Sequence, residues 1–401
     1  KVRVDWQPDR APVVTGRLIG TALAWEQAPL RITGNVLVEG TAAPPADPAA
    51  PWTIDVKVDL DEGSLQGRGL LNTVQKVAGT ARVTQDTVTI ERLHGMALDL
   101  PWEMRADLKY DLPAGGLTIN TLSGQIQGHP VMARGSLQFN PPATMNLVVE
   151  AEADWALAKK VLPADSPVQP QAGSVSVHVE LGGLVTHPTW TGTAAFTEAA
   201  IGLRAWPSSV EHLNGTLHFT DQELSTERLT CVAAGRPVTV SGAVTAFAAA
   251  PRFVGQVGVA DARLTVDVTA RPDAVVLQAA EVEMGASRLR VKGRISRLRD
   301  EPSELTVAGT VRLTDLSQIP WVNASALTPW QLEGDVEIQA RLSGPLDNPQ
   351  ALSVSGLIRS EQLTIKGVPV RAVAAELEQG AKQWSLRLAG ASIAGGSLTG
   401  E

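Results

Sequence analysis

Cysteine occurs once in 401 residues, at Cys231, which excludes an internal disulfide framework and any zinc site built on thiolates. Tyrosine also occurs once and aromatic residues make up 4% of the chain, too few for the interfacial girdles of an outer-membrane barrel. Long apolar runs are missing. The longest uncharged stretch, Leu112 to Ala133, holds four glycines and two prolines and fails as a spanning helix. The opening residues Lys1-Val2-Arg3-Val4-Asp5-Trp6 are charged and alternating, unlike a secretory leader. Nor is there a basic excess: 34 Lys and Arg stand against 42 Asp and Glu, for a net charge of -8, so a face for nucleic-acid phosphates is not expected. With 44% hydrophobic and 19% charged residues the chain is not a solvated, disordered one.

Catalytic signatures are equally scarce. The six histidines (94, 129, 178, 187, 212 and 218) include no i, i+4 pair and no HExxH string. G-x-S-x-G elbows, P-loops and strand-following G-x-G-x-x-G motifs are absent. His178 falls on the polar side of an alternating segment, where solvation accounts for it, and His212 and His218 flank Gly215, where the polarity of a turn explains them as well as a metal would. Asp59, Asp61 and Glu62 belong to an exposed face or a turn. Cys231, after Leu229 and Thr230, reads as a buried structural thiol. Asn214-Gly215-Thr216 and Asn323-Ala324-Ser325 match the glycosylation pattern, which is too common by chance to use. No enzyme activity, cofactor or metal is expected.

What the chain does have is strict alternation, the period of a strand with one apolar and one wet face. Trp52, Ile54, Val56, Val58 and Leu60 alternate with polar residues. So do Val175, Val177, Val179 and Leu181, then Leu289, Val291 and Ile295 with Gly293 in the apolar row, then Val336, Ile338, Ala340 and Leu342. Such strands imply a mainly β protein with a long antiparallel sheet apolar on one side. Helical signals are short: Asp154 to Leu162, with Asp154 as N-cap and Pro163 after it, and Leu313 to Ile319 before Pro320. Proline-rich loops run from Ala42 to Pro51 and from Pro163 to Pro170. The ten tryptophans, spread along the chain, read as core and rim packing or as a lining with the indole N–H toward water.

Self-comparison shows a strand–turn–strand unit copied with variable insertions. Gly79–Leu93 aligns on Gly215–Leu229, sharing Glu91/Glu227, Arg92/Arg228 and Leu93/Leu229. Gly128-His129-Pro130-Val131 corresponds to Gly235-Arg236-Pro237-Val238, and Gly135 to Gly242. Gly285–Gly293 repeats the same cell, and Gly173–Pro188 aligns on Gly334–Pro349. Each unit has an uncovered apolar face and must stack on its neighbours.

The segments Gly173-Ser-Val-Ser-Val-His-Val-Glu-Leu-Gly-Gly183 and Gly334-Asp-Val-Glu-Ile-Gln-Ala-Arg-Leu-Ser-Gly344, with Leu305-Thr-Val-Ala-Gly309-Thr-Val-Arg-Leu, resemble the repeats of the AsmA/TamB superfamily. The resemblance implies a cell-envelope protein of a didermic bacterium, periplasmic, held to the inner membrane by an anchor outside this chain. It implies a sheet curled into a U-shaped hydrophobic groove that conducts phospholipids between inner and outer membrane and supports outer-membrane assembly. It brings no catalytic residues. Expected partners are phospholipid acyl chains, the inner membrane, and outer-membrane or periplasmic assembly proteins.

The residues lead to the same groove without the family. About 25–30 strands at 4.8 Å give a sheet on the order of 120–140 Å long, with too little helix to cover its apolar side. We therefore expect one continuous elongated β-groove over residues 1–401, in modules of about 1–172, 173–333 and a truncated 334–401, the whole being a piece of something longer. Its lining is expected to be Ile54, Val56, Val58, Leu60, Val175, Val177, Val179, Leu181, Leu289, Val291, Ile295, Val336, Ile338 and Leu342. The competing reading is a non-catalytic structural or interaction scaffold, β-solenoid or adhesin-like, with a filled interior. A β-helical carbohydrate enzyme would need a carboxylate ridge that the sequence does not offer.

Overall fold

A computed structural model describes residues 2–7, 10–27, 30–44, 52–66, 74–111, 113–162, 166, 168–203, 206–247, 250–296, 301–318, 331–345, 352–380, 383–393 and 396–400. Trp321, Trp330, the Asn323 sequon, most of the 42–51 loop and residues 346–349 lie outside them, as do Ile319, Pro320 and Pro163. The chain divides into two compact units, Lys1–Asp221 and Gln222–Glu401. The first holds β1 (Val2–Gln7), β2 (Arg10–Gln27), β3 (Leu30–Ala43), β4 (Thr53–Gln66), β5 (Val74–Val83), β6 (Thr87–Ala97), β7 (Leu100–Asp111), β8 (Gly116–Ile126), β9 (His129–Gln138), β10 (Thr144–Asp154), β11 (Val168–Leu184), β12 (His187–Leu203) and β13 (Trp206–Thr220). The second holds β14 (Glu223–Ala233), β15 (Arg236–Thr245), β16 (Arg252–Val259), β17 (Ala262–Ala270), β18 (Ala274–Met284), β19 (Ser287–Ser296), β20 (Ser303–Arg312), β21 (Glu333–Gly344), β22 (Ser353–Ile365), β23 (Val368–Gly380), β24 (Gln383–Ile393) and β25 (Gly396–Gly400).

The protein is mainly β, and within each unit every strand pairs antiparallel with the next. Among the described residues no pairing joins β1 to β13 or β14 to β25, so neither meander closes into a barrel. Among the described residues helix is confined to α1 (Trp155–Val161) and one 3-10 segment, Leu313–Gln318. Both match the sequence expectation. Asp154 N-caps α1, its carboxylate accepting from the Leu157 N–H at 2.8 Å, and Lys159 and Lys160 close the last turn. β11 begins at Val168, so the loop expected to reach Pro170 is shorter.

Tight hairpins follow from residues that tolerate positive φ. Gln127-Gly128, Ala234-Gly235 and Lys366-Gly367 each place both central residues at φ between +50° and +89°, the twist a two-residue hairpin requires. The copied Gly-x-Pro-Val segments are therefore two equivalent turns leading into β9 and β15.

The other copied element is a β-bulge. In β8, β12, β14 and β18 two consecutive residues (Asn120-Thr121, Thr197-Glu198, Glu227-Arg228, Gln278-Ala279) face a single residue of the next strand. Beside each bulge the facing strand carries a glycine, Gly135, Gly215, Gly242 or Gly293, at φ between +128° and +143°. A Cβ on Gly135 would stand 2.0 Å from the Asn146 carbonyl oxygen, and one on Gly293 2.0 Å from that of Glu304. Only glycine permits the strand to approach its other neighbour so closely. Bulges bend a strand and raise its twist, so each cell curls the sheet locally. His212 and His218 thus sit within β13, beside a bulge, and not in the turn expected for them.

Candidate functional site

Cross-strand register collects the alternating apolar residues into long rows. In the first unit one row runs Leu18–Val38–Val58–Ala81–Ile90–Ala106–Leu122–Ala133–Val149–Val179–Gly192–Phe219, one residue from each strand of β2 to β13. The adjacent row runs Gly20–Val36–Leu60–Gly79–Leu93–Met104–Gly124–Val131–Ala151–Val177–Ala194–Leu217. A third, from Gly40 through Val56, Val83, Val88, Leu108, Ile119, Gly135, Leu147 and Leu181 to Trp190, flanks the first on its other side. In the second unit the corresponding row is Leu229–Val240–Val257–Leu264–Val282–Leu289–Gly309–Ile338–Ile358–Ala375–Leu388. No charged side chain stands in any of these rows. At about 4.8 Å per strand the first extends roughly 50 Å.

The rows are half-covered. Nearly every member is intermediate in exposure, sheltered by its row neighbours, and no second layer of described residues lies over it. Among the described residues no large side chain is fully buried. The accessible surface is 25311 Å² for a 42.2 kDa chain. A compact monomer of that mass exposes roughly 15,000 Å², and two compact halves together about 18,000 Å². Division into two units therefore does not account for the excess. Apolar side chains left half-exposed on a sheet face contribute to it.

The register brings together residues far apart in sequence. Val58 and Val179 share one row, Leu60 and Val177 the next, Val56 and Leu181 the third. In the second unit Leu289 lies in the row of Ile338, Val291 in that of Val307 and Ala340, and Leu342 in that of Leu305 and Gly293. Ile54, partly exposed, pairs with Ala42, Val175 with Phe196, Ile295 with Val275, and Val336 with Val311. Phe196, Phe219, Trp190 and the small residues Ala106, Ala151, Ala194 and Ala375 also belong to these faces and were not expected from alternation. Trp190 tilts against Phe219 with ring centroids 5.5 Å apart. Cys231 is half-buried beside Val238, and burial pushes its thiol pKa up, which keeps it protonated and inert.

The chain matches no known protein family, curated protein or solved structure.

The opposite face is built from ion pairs across strands. Arg82 bridges to Asp55, Arg252 to Asp267 at 2.6 and 2.8 Å, and Arg312 to Asp335 at 2.9 Å. Arg294 reaches both Asp273 at 2.8 Å and Glu301 at 2.9 Å. The guanidinium hydrogen bond holds Asp55, Asp267 and Asp335 below the usual carboxylate range. His178 lies between Glu150 at 3.3 Å and Glu180 at 3.5 Å, on this wet side as expected. These pairs are exposed and contribute little stability each. Their consequence is a water-compatible face. Among the described residues no cluster of three metal-ligating side chains occurs and no helix is long and apolar enough to cross a membrane.

Short helical segments cover two patches. α1 lays Trp155 flat on Phe196, with centroids 6.3 Å apart and planes 8° from parallel, and Trp155 and Leu157 are buried. The 3-10 segment lies against β20 and β21. Its buried Asp315 carboxylate accepts from the N–H groups of Ala286 and Ser287 and from the Ser287 hydroxyl at 2.8–3.1 Å.

Proposed function

We propose that the apolar face holds phospholipid acyl chains and lets them move along its rows, making the chain a periplasmic lipid conduit between inner and outer membrane. The observation that carries this reading is the uninterrupted, uncharged and half-exposed row across β2–β13. Each methylene covered by such a face contributes roughly 0.8 kcal/mol. Where the row is continuous that contribution is nearly constant, so a chain slides without crossing water. An open antiparallel β-groove of this kind agrees with the resemblance to AsmA/TamB repeats, and the envelope location, the inner-membrane anchor outside this chain and the non-catalytic role come from that resemblance. A scaffold with a filled interior is less well supported, because among the described residues no second layer covers the apolar rows.

Lipid extraction and mass spectrometry of the purified protein test the proposal. Co-purifying phospholipid is expected. Val177→Asp combined with Ile338→Asp, one charge in each unit's apolar face, should cut bound lipid at least about tenfold, since stranding a carboxylate beside acyl chains is costly. Far-UV circular dichroism should stay unchanged. Parental protein without lipid, from extract and after incubation with vesicles, would leave the scaffold reading.

A further inference from the structure

The two helical segments are fastened differently. Asp315 receives three hydrogen bonds from the β18–β19 turn, and Arg312 N–H donates to Ser287 Oγ at 2.9 Å, so the 3-10 segment is tied to the sheet by a satisfied buried network. Among the described residues α1 has no such network. Its polar ties to the sheet side are the Asp154 cap, which is its own, and a 3.3 Å contact between Asp154 and His129. Its remaining hold is apolar, the stack of Trp155 on Phe196 and the burial of Leu157. That stack carries a penalty, because the buried Trp155 Nε1–H finds no acceptor among the described residues. A buried orphan donor destabilises the state that buries it, and water would satisfy it at once.

Phe196 is a member of the apolar face, opposite Val175 and Gly215. Trp155 therefore rests where an acyl chain would rest if the face were continuous there. We propose that α1 is a displaceable plug, an indole standing in for lipid over β10–β12, which swings off to admit a chain there. This deepens the lipid-groove reading and rests on it. The orphaned indole N–H sets the balance: it weakens the closed state enough for an acyl chain to compete.

The test uses two substitutions with opposite expected signs. Trp155→Ala removes the stack and should speed loading of a phospholipid with a nitrobenzoxadiazole-labelled acyl chain, taken up from phosphatidylcholine vesicles, by about tenfold. Trp155→Phe keeps an aromatic ring on Phe196 but deletes the orphan donor, and should slow loading at least about fivefold. Hydrogen exchange of the amides of residues 155–162 should move in the same directions without any lipid present. A packing residue with no gating role would give looser, faster exchange in both variants, and that result overturns the plug. Parental loading rates in both variants overturn it too, while leaving the groove intact. Amide exchange that shifts as expected in a protein taking up no labelled lipid would instead sink the groove reading, and the plug's purpose with it.

Discussion

Gly135 shows how one residue sets the local shape. At φ +140°, with the Asn146 carbonyl where its Cβ would be, it can be no other residue without moving β10. Gly135→Ala should lower stability by about 1–3 kcal/mol in urea denaturation. Gly182→Ala, where the nearest atom to the new Cβ is 3.5 Å away, should be neutral. A second residue-level effect belongs to the bulge in β12, where Glu198 accepts from Asn214 Nδ2 at 2.7 Å and faces His212 Nδ1 at 2.6 Å. The hydrogen bond raises the His212 pKa above its ordinary 6.5, and the same bond lowers that of Glu198 below 4.5. For His212 the stabilisation is present in full below 6.5 and fades as pH climbs through its raised folded value. For Glu198 it is present above 4.5 and fades as pH drops through its lowered one. The clip is therefore strongest between the two, and Glu198→Gln should bring the His212 titration, followed by NMR, back toward its ordinary midpoint.

At the scale of the element, the governing fact is that a strand's face flips with every odd step. β6 illustrates this: Val88 and Ile90 face the apolar side, Glu91 and Arg92 are both exposed, and Leu93 returns to it. β14 does the same with Glu227-Arg228 between Thr226 and Leu229. The Glu-Arg-Leu identity that self-comparison picks out is thus the bulge that keeps the row intact. Deleting Glu227 and Arg228 together should turn Leu229 and Cys231 to the wet side and cost several kcal/mol in thermal denaturation, whereas deleting Arg228 alone leaves Glu227 opposite Ser241 and Leu229 in its row, and Arg228→Ala should stay within about 0.5 kcal/mol. Alternation in the sequence was enough to read the strands, their antiparallel pairing, both helical segments and Asp154 as a cap. It could not give the members of the rows beyond the clean strands. A bulge breaks the period of two, so Leu93, Leu122 and Ala280 fall out of phase with the residues before them. Alanine and glycine, which fill many row positions, carry no hydrophobic signal of their own. Phe196 under α1 was out of reach as well, since nothing local links it to Trp155.

At the scale of the molecule, the chain departs from the usual arrangement in which one layer's apolar side is buried by another. Its stability must come from neighbour-to-neighbour strand pairing and from contacts along the rows, as in repeat proteins, where each element meets only those beside it. That arrangement separates two properties that a compact protein keeps together. An ordinary domain exposes enough apolar surface to bind a hydrophobic dye only after its tertiary packing has loosened. Here the native state already presents that surface on one face, while the other carries ion pairs such as Arg252–Asp267 and Arg312–Asp335. Anilinonaphthalene sulfonate should therefore bind and fluoresce on the lipid-stripped protein while its near-UV circular dichroism, reporting ordered tryptophans, is retained. Phospholipid should displace the dye in proportion to the lipid taken up. Dye binding that develops only as the near-UV signal is lost would mean that the apolar rows are covered in solution, and would remove the ground on which the groove stands.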